Sequence, residues 1–88
     1  MKEMENHLKK ELIKVYEMYL NKGTSKEVVE YTRNVYNNYI PAGPLLSEEI
    51  MGFVGRLFEI AYPEVNSGIE PPSKEEVKKI IAELKKML

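Results

Sequence analysis

Ile50-Met51-Gly52-Phe53-Val54-Gly55-Arg56-Leu57-Phe58-Glu59-Ile60-Ala61-Tyr62 is the most apolar segment of the chain, and its reading decides the fold. At about 100° per residue, its apolar positions spread over an arc of roughly 200°, where a surface helix needs a stripe of only about 100°. A helix of this kind is either wedged between several neighbours or keeps part of its arc for a partner. Ser47 offers an N-cap hydroxyl, and Glu48 and Glu49 place negative charge in the first turn, where the helix dipole favours it. Pro63 closes the helix, because the residue before a proline is pushed out of the α region.

The narrow polar wedge of this helix holds Glu48, Gly52, Gly55, Arg56 and Glu59. Each glycine inside a helix costs roughly 1 kcal/mol relative to alanine. One reading is close approach of another backbone across Gly52 and Gly55, fixed by the charges of Arg56 and Glu59. The other readings are a pair of tolerated exposed glycines, or crowding against the chain's own first helix.

Working outward, the first helix is expected over about 3–21, where Met4, Leu8, Leu12, Val15 and Tyr19 step by three or four. Gly23 follows as a C-cap. Thr24 and Ser25 then offer an N-cap, with Glu27 three residues after Thr24 as in a capping box. The second helix, about 25–40, carries Val28, Thr32, Val35 and Tyr39 on one row and Glu30, Arg33, Asn34, Asn37 and Asn38 opposite. A short turn makes these two helices antiparallel neighbours. Pro41-Ala42-Gly43-Pro44 reads as an unhelical break, with Leu45 and Leu46 tucking under the bundle as a staple before Ser47. The third helix runs over about 48–61.

A long connection from Pro63 to Pro72 should pack down through Val65 and Ile69. Ser73 and Glu76 then open a last helix, about 74–87, as a second capping box. Its Val77, Ile80, Ile81, Leu84 and Leu88 make a stripe of roughly 120°, which suits a peripheral lid. The fold expected is all-α: a compact four-helix bundle of one domain, 1–88, with the third helix innermost.

Composition narrows the function. In 88 residues there is no Cys, which excludes disulfides, thiolate metal sites and cysteine nucleophiles. Thirteen basic against fourteen acidic residues leave a net charge of −1, unlike the basic excess of a dedicated nucleic-acid binder. No run approaches a membrane span and Met1-Lys2-Glu3 starts no signal peptide, so a soluble, cytoplasmic protein is expected. Asp, Gln and Trp are absent while Lys and Glu abound. That is the composition of a heat-adapted chain or of a designed one.

Chemistry-bearing motifs are missing. His7, the one imidazole, has Glu3 and Glu11 one turn away on either side, but a zinc site wants three or four protein ligands. Among the serines, Ser25, Ser47 and Ser73 are explained as caps, which leaves no hydrolytic triad. Glu64-Val65-Asn66-Ser67-Gly68-Ile69-Glu70 lacks the ligand spacing of a calcium loop. Most of the six tyrosines fall on apolar rows and read as core or boundary residues with hydroxyls reaching water, and Tyr31, at the edge of its stripe, is a candidate interface anchor. Lysines of the first and last helices are interleaved with glutamates and read as solvated faces, so nucleic-acid contact is disfavoured.

Leu46–Ile50 through Val54–Phe58 resembles the third helix of paired amphipathic helix domains of corepressors, four-helix modules that clasp a peptide helix. The general helix pattern is also similar to small bacteriocin immunity proteins. The first likeness covers one helix and the second is general, so neither assigns a family or a site residue.

The expected function is a non-enzymatic interaction module binding a partner polypeptide, or itself as a homodimer, through excess apolar helix surface. Gly52, Gly55, Arg56, Glu59, Phe53, Ile60 and Tyr31 are the candidate contact residues, with no cofactor or metal. The alternatives are a designed or purely structural bundle without a partner, and a helical nucleic-acid-binding regulator.

Overall fold

Three of the four α-helices begin on a serine whose hydroxyl accepts a hydrogen bond from a first-turn amide, the local device that fixes where each starts. The computed structural model describes residues 2–65 and 71–88. Among them lie α1 (Lys2–Lys22), α2 (Lys26–Tyr39), a short 3-10 helix (Ile40–Leu45), α3 (Glu48–Ala61) and α4 (Lys74–Met87), with no strand. The fold is an all-helical bundle of four compactly packed helices, with a radius of gyration of 12.1 Å.

The Ser25, Ser47 and Ser73 hydroxyls accept from the amides of Val28, Ile50 and Glu76 at 3.5, 3.4 and 3.2 Å. The α2 cap is thus Ser25 rather than Thr24, and Glu27 instead pairs with Lys22 at 3.0 Å. Gly23 sits at φ +64°, the left-handed C-cap that its lack of a Cβ allows, and its amide donates to the Tyr19 carbonyl at 2.8 Å.

Pro41–Pro44 is not the unhelical break expected. It continues α2 as the 3-10 helix: Pro41 sits in the first turn, where it forfeits only an amide that had no partner, while Pro44 lies inside the helix. This segment carries Leu46 onto the core but leaves Leu45 56 % exposed, so only one of the two leucines acts as the staple.

Helix α1 packs on α2, α3 and α4, whereas α3 lies mainly on α2, with a smaller contact to α1 and the Arg56–Glu76 hydrogen bond to α4. These contacts do not confirm the innermost place expected of the third helix. Leu8, Leu12, Val15 and Tyr16 of α1 are fully buried, between Val28 and Val35 of α2, Val54 and Leu57 of α3, and Val77 and Leu84 of α4.

The apolar arc of α3 is nonetheless largely covered. Ile50, Val54, Leu57, Ile60 and Ala61 enter the core. Phe58 and Tyr62 pack against Tyr36 of α2 at centroid distances of 5.8 and 6.1 Å, the second pair edge-on, and against each other at 5.3 Å. Met51 lies under the 3-10 segment, its sulfur where a Cβ at Gly43 would come within 3.0 Å. Among the described residues, Leu45, Val65 and Leu88 are the large apolar side chains left exposed. The surplus of apolar surface expected from the sequence is therefore much smaller than the arcs imply. Val65 ends a turn, its amide donating to the Tyr62 carbonyl at 3.1 Å, and points outward instead of anchoring the connection. Ile69 and the calcium-loop comparison over 66–70 lie outside the described residues.

Candidate functional site

One stripe of α3 stays open after folding. Glu48, Glu49, Gly52 and Gly55 are exposed, and Arg56 and Glu59 are partly covered. A Cβ at Gly52 or Gly55 would meet no atom within 4 Å among the described residues, so neither glycine is needed to make room for the chain's own helices. The crowding explanation for the pair is thereby removed. Gly52 borders a groove of about 310 Å³ between α3 and α4, lined by Glu49, Phe53, Arg56, Glu76, Lys79 and Ile80. Phe53 is partly buried against the core and Ile80 is nearly buried, so they form an apolar floor with two acids and two bases around it.

Arg56 spans this groove. Its Nη2 donates to Glu76 Oε2 at 2.9 Å, and its Nε lies 3.4 Å from Glu59 Oε1, one turn along α3. The second approach is an ion pair without hydrogen-bond geometry, and the buried Nε has no hydrogen-bond partner among the described residues. Burial acts to lower the Arg56 pKa, but the hydrogen bond to Glu76 and the charges of Glu59 and Glu76 outweigh it, so the guanidinium is held more firmly charged than usual. The sequence places Glu76 in a capping box, but its carboxylate goes to Arg56, so only the Ser73 half of that box is used.

Beneath the stripe, Tyr16 donates its hydroxyl to the Phe53 carbonyl at 2.7 Å. This hydroxyl was expected to reach water; instead the whole residue is buried. Burial pushes its pKa up, against a smaller lowering by Arg56. The bond fixes α1 against the middle of α3.

The candidate residues separate accordingly. Gly52, Phe53 and Arg56 line the groove, with Gly55 and Glu59 on the adjoining stripe. Ile60 has no exposed surface and belongs to the core, because its side of α3 faces the other helices. A direct contact between Ile60 and a partner is withdrawn.

Tyr31 is elsewhere. Its hydroxyl donates to Glu11 of α1 at 2.6 Å, Lys14 sits 5.0 Å above its ring, and it lines a different groove with Met18, Lys26 and Asn34. Burial and the Glu11 carboxylate push its phenol up to about 12. It is an α1–α2 clasp that does not share the α3 stripe.

Sequence reading missed Glu76, Lys79 and Ile80, the α4 wall of the groove. Arg56 was the available signal: an arginine on a glycine-flanked wedge asks for a carboxylate beyond its own helix. Arg33 was also missed. Placed on the polar side of α2, it donates from Nε to the Ala61 carbonyl at 2.6 Å, pairs with Glu64, and stacks 4.8 Å from the Tyr62 ring centroid.

Among the described residues, no group of three or more acidic, His or Cys side chains could hold a metal ion, and no helix is long and apolar enough to cross a membrane. The lysines of α1 and α4 are partly engaged, Lys85 with Glu17 at 3.7 Å and Lys9 with the Met87 carbonyl at 3.4 Å. No protein-family model, curated protein or solved structure matches the chain.

Proposed function

We propose that this chain is a non-enzymatic interaction module that docks a polypeptide, a second copy of itself included, along the open stripe of α3 and the α3–α4 groove. The observation that carries the reading is the pair Gly52 and Gly55, open beside an apolar floor with charged rims. Two mid-helix glycines cost roughly 2 kcal/mol together, and nothing among the described residues approaches them closely enough to offset that. A docked helix does, because without side chains its backbone comes nearer than ordinary helix pairs allow. In such a complex α3 becomes the innermost helix, with its own bundle on one side and the partner on the other. Phe53 then supplies apolar contact while Glu49, Arg56, Glu59 and Lys79 set the register.

Photo-crosslinking tests the reading directly. A photoreactive residue is placed at exposed Glu49 and, as a control, at exposed Asn38 of α2. Irradiation in the cells that express the chain should give a discrete adduct from position 49 alone, identified by sequencing its peptides. Equal labelling at the two positions, or none at 49, sinks the proposal.

A second reading has an observation of its own. Nearly all large apolar side chains described are covered within one chain, which favours a self-sufficient structural bundle with no partner. That reading requires position 49 to give no adduct.

A further inference from the structure

Resting on the docking reading, we propose that the occupant of the α3 stripe is a second copy of this chain, its α3 crossing antiparallel with Gly52 on the two-fold axis. The argument is the order of charges. From Gly52, Glu48 lies four residues toward the N-terminus and Arg56 four toward the C-terminus, so all three share one face of the helix. Antiparallel copies related by a two-fold axis through Gly52 bring Glu48 of each opposite Arg56 of the other, giving two equivalent pairs of opposite sign. Glu49 comes opposite Gly55, where the absence of a side chain leaves its carboxylate room beside the same guanidinium.

The groove repeats this balance. Its rims carry Glu49 and Glu76 against Arg56 and Lys79, a net charge of zero. A basic or an acidic peptide would meet repulsion from half of these groups, whereas a second copy crossing at Gly52 sets Glu48 against Arg56 at both ends, with Glu59 held by Arg56 of its own chain. A self-complementary patch is what an isologous dimer requires. Arg56 also has surface to offer: its side chain is 39 % exposed although it already holds Glu76. The expected dimer is weak, with Kd on the order of micromolar, the weak end of the range that specific interfaces span.

Charge-swap complementation tests the arrangement. Sedimentation equilibrium on the wild-type chain between about 10 µM and 1 mM should show a monomer–dimer equilibrium, and Gly52→Leu should abolish it. Glu48→Lys should be monomeric. The second variant combines Arg56→Glu with Glu76→Lys, which reverses the intrachain pair instead of breaking it, and should also be monomeric. Mixing the two variants in equal amounts restores opposite signs at both ends of the crossing and should return a heterodimer of wild-type affinity. Circular dichroism on each variant establishes that it is folded.

A wild-type chain that stays monomeric at 1 mM overturns the proposal, as does a dimer indifferent to Gly52→Leu or variants that fail to complement. If the adduct formed at position 49 is a different protein, the docking reading survives and the second copy is excluded.

Discussion

At Gly23 and Gly55 the same substitution has opposite consequences. Gly55 is in mid-helix with open space where a Cβ would stand. Gly55→Ala should therefore raise the stability of the monomer by about 1 kcal/mol, mainly by restricting the unfolded chain. Gly23 also has open space, but its φ of +64° strains any residue with a Cβ. Gly23→Ala should lower stability by about 1–2 kcal/mol. Urea unfolding at low protein concentration reads both, and a loss at Gly55 would mean that its surroundings are not open.

Tyr16 carries a pH dependence at the same scale. Burial raises its pKa in the folded state above the unfolded value near 10, so folding favours the neutral phenol. Its contribution is complete below pH about 10 and declines as pH rises beyond that, by at most about 1.4 kcal/mol per pH unit. Tyr16→Phe removes the hydrogen bond to Phe53 and should cost about 1 kcal/mol at neutral pH. The variant should also show a shallower loss of stability above pH 10 in urea titrations. Identical alkaline profiles would assign the dependence to other tyrosines.

Among the elements, α3 is held at its two ends by different means. Ser47 caps its start from the adjacent sequence, whereas its last carbonyls depend on Arg33 from α2. A cation there answers both an unpaired carbonyl and the negative end of the helix dipole. Arg33→Met keeps the apolar stem but loses the bond to Ala61 and the pair with Glu64. It should cost about 1 kcal/mol, since the ion pair is solvent-exposed, and should speed amide exchange at residues 58–62 more than at 50–54. Uniform exchange along α3 would show that Arg33 does not secure that end.

This contrast explains what could be read from the chain and what could not. Helix starts, the Gly23 cap and the apolar stripes are encoded within a turn or two, so Ser25, Ser47, Ser73, Leu8, Leu12, Val54 and Val77 announce themselves. Arg33, Ile60 and the Arg56–Glu76 pair depend on which helix lies across from them, and periodicity carries no such information. The apolar arc of α3 misled for the same reason. Its width counts side chains, but cannot tell that Tyr36, the 3-10 segment and α1 will cover them. Of the candidate site, the glycine stripe was legible as an anomaly of helix propensity, while its α4 wall was not.

For the whole molecule, a small bundle with one open stripe should have a stability that depends on its own concentration. Unfolding a dimer releases two chains, so mass action raises the melting temperature as protein concentration rises, while a monomer's is unchanged. At a total concentration a hundredfold above a micromolar Kd, pairing leaves free chain at only about 7 Kd, and the apparent stability rises by about 1.6 kcal/mol per chain. For a domain of this size that corresponds to roughly 6–12 °C. Calorimetry at about 5 µM and 500 µM should show this shift in the wild-type chain and none in Gly55→Leu. Gly55→Leu should match or exceed the wild type at the low concentration, because leucine is the better helix former and has room there. The two measurements separate the two contributions of the glycine: a cost within the single chain at any concentration, and a gain that appears only when a second backbone can approach. A melting temperature that does not move over this range in the wild type would leave the glycine stripe as a plain solvent-facing cost, and the lone bundle as the functional unit.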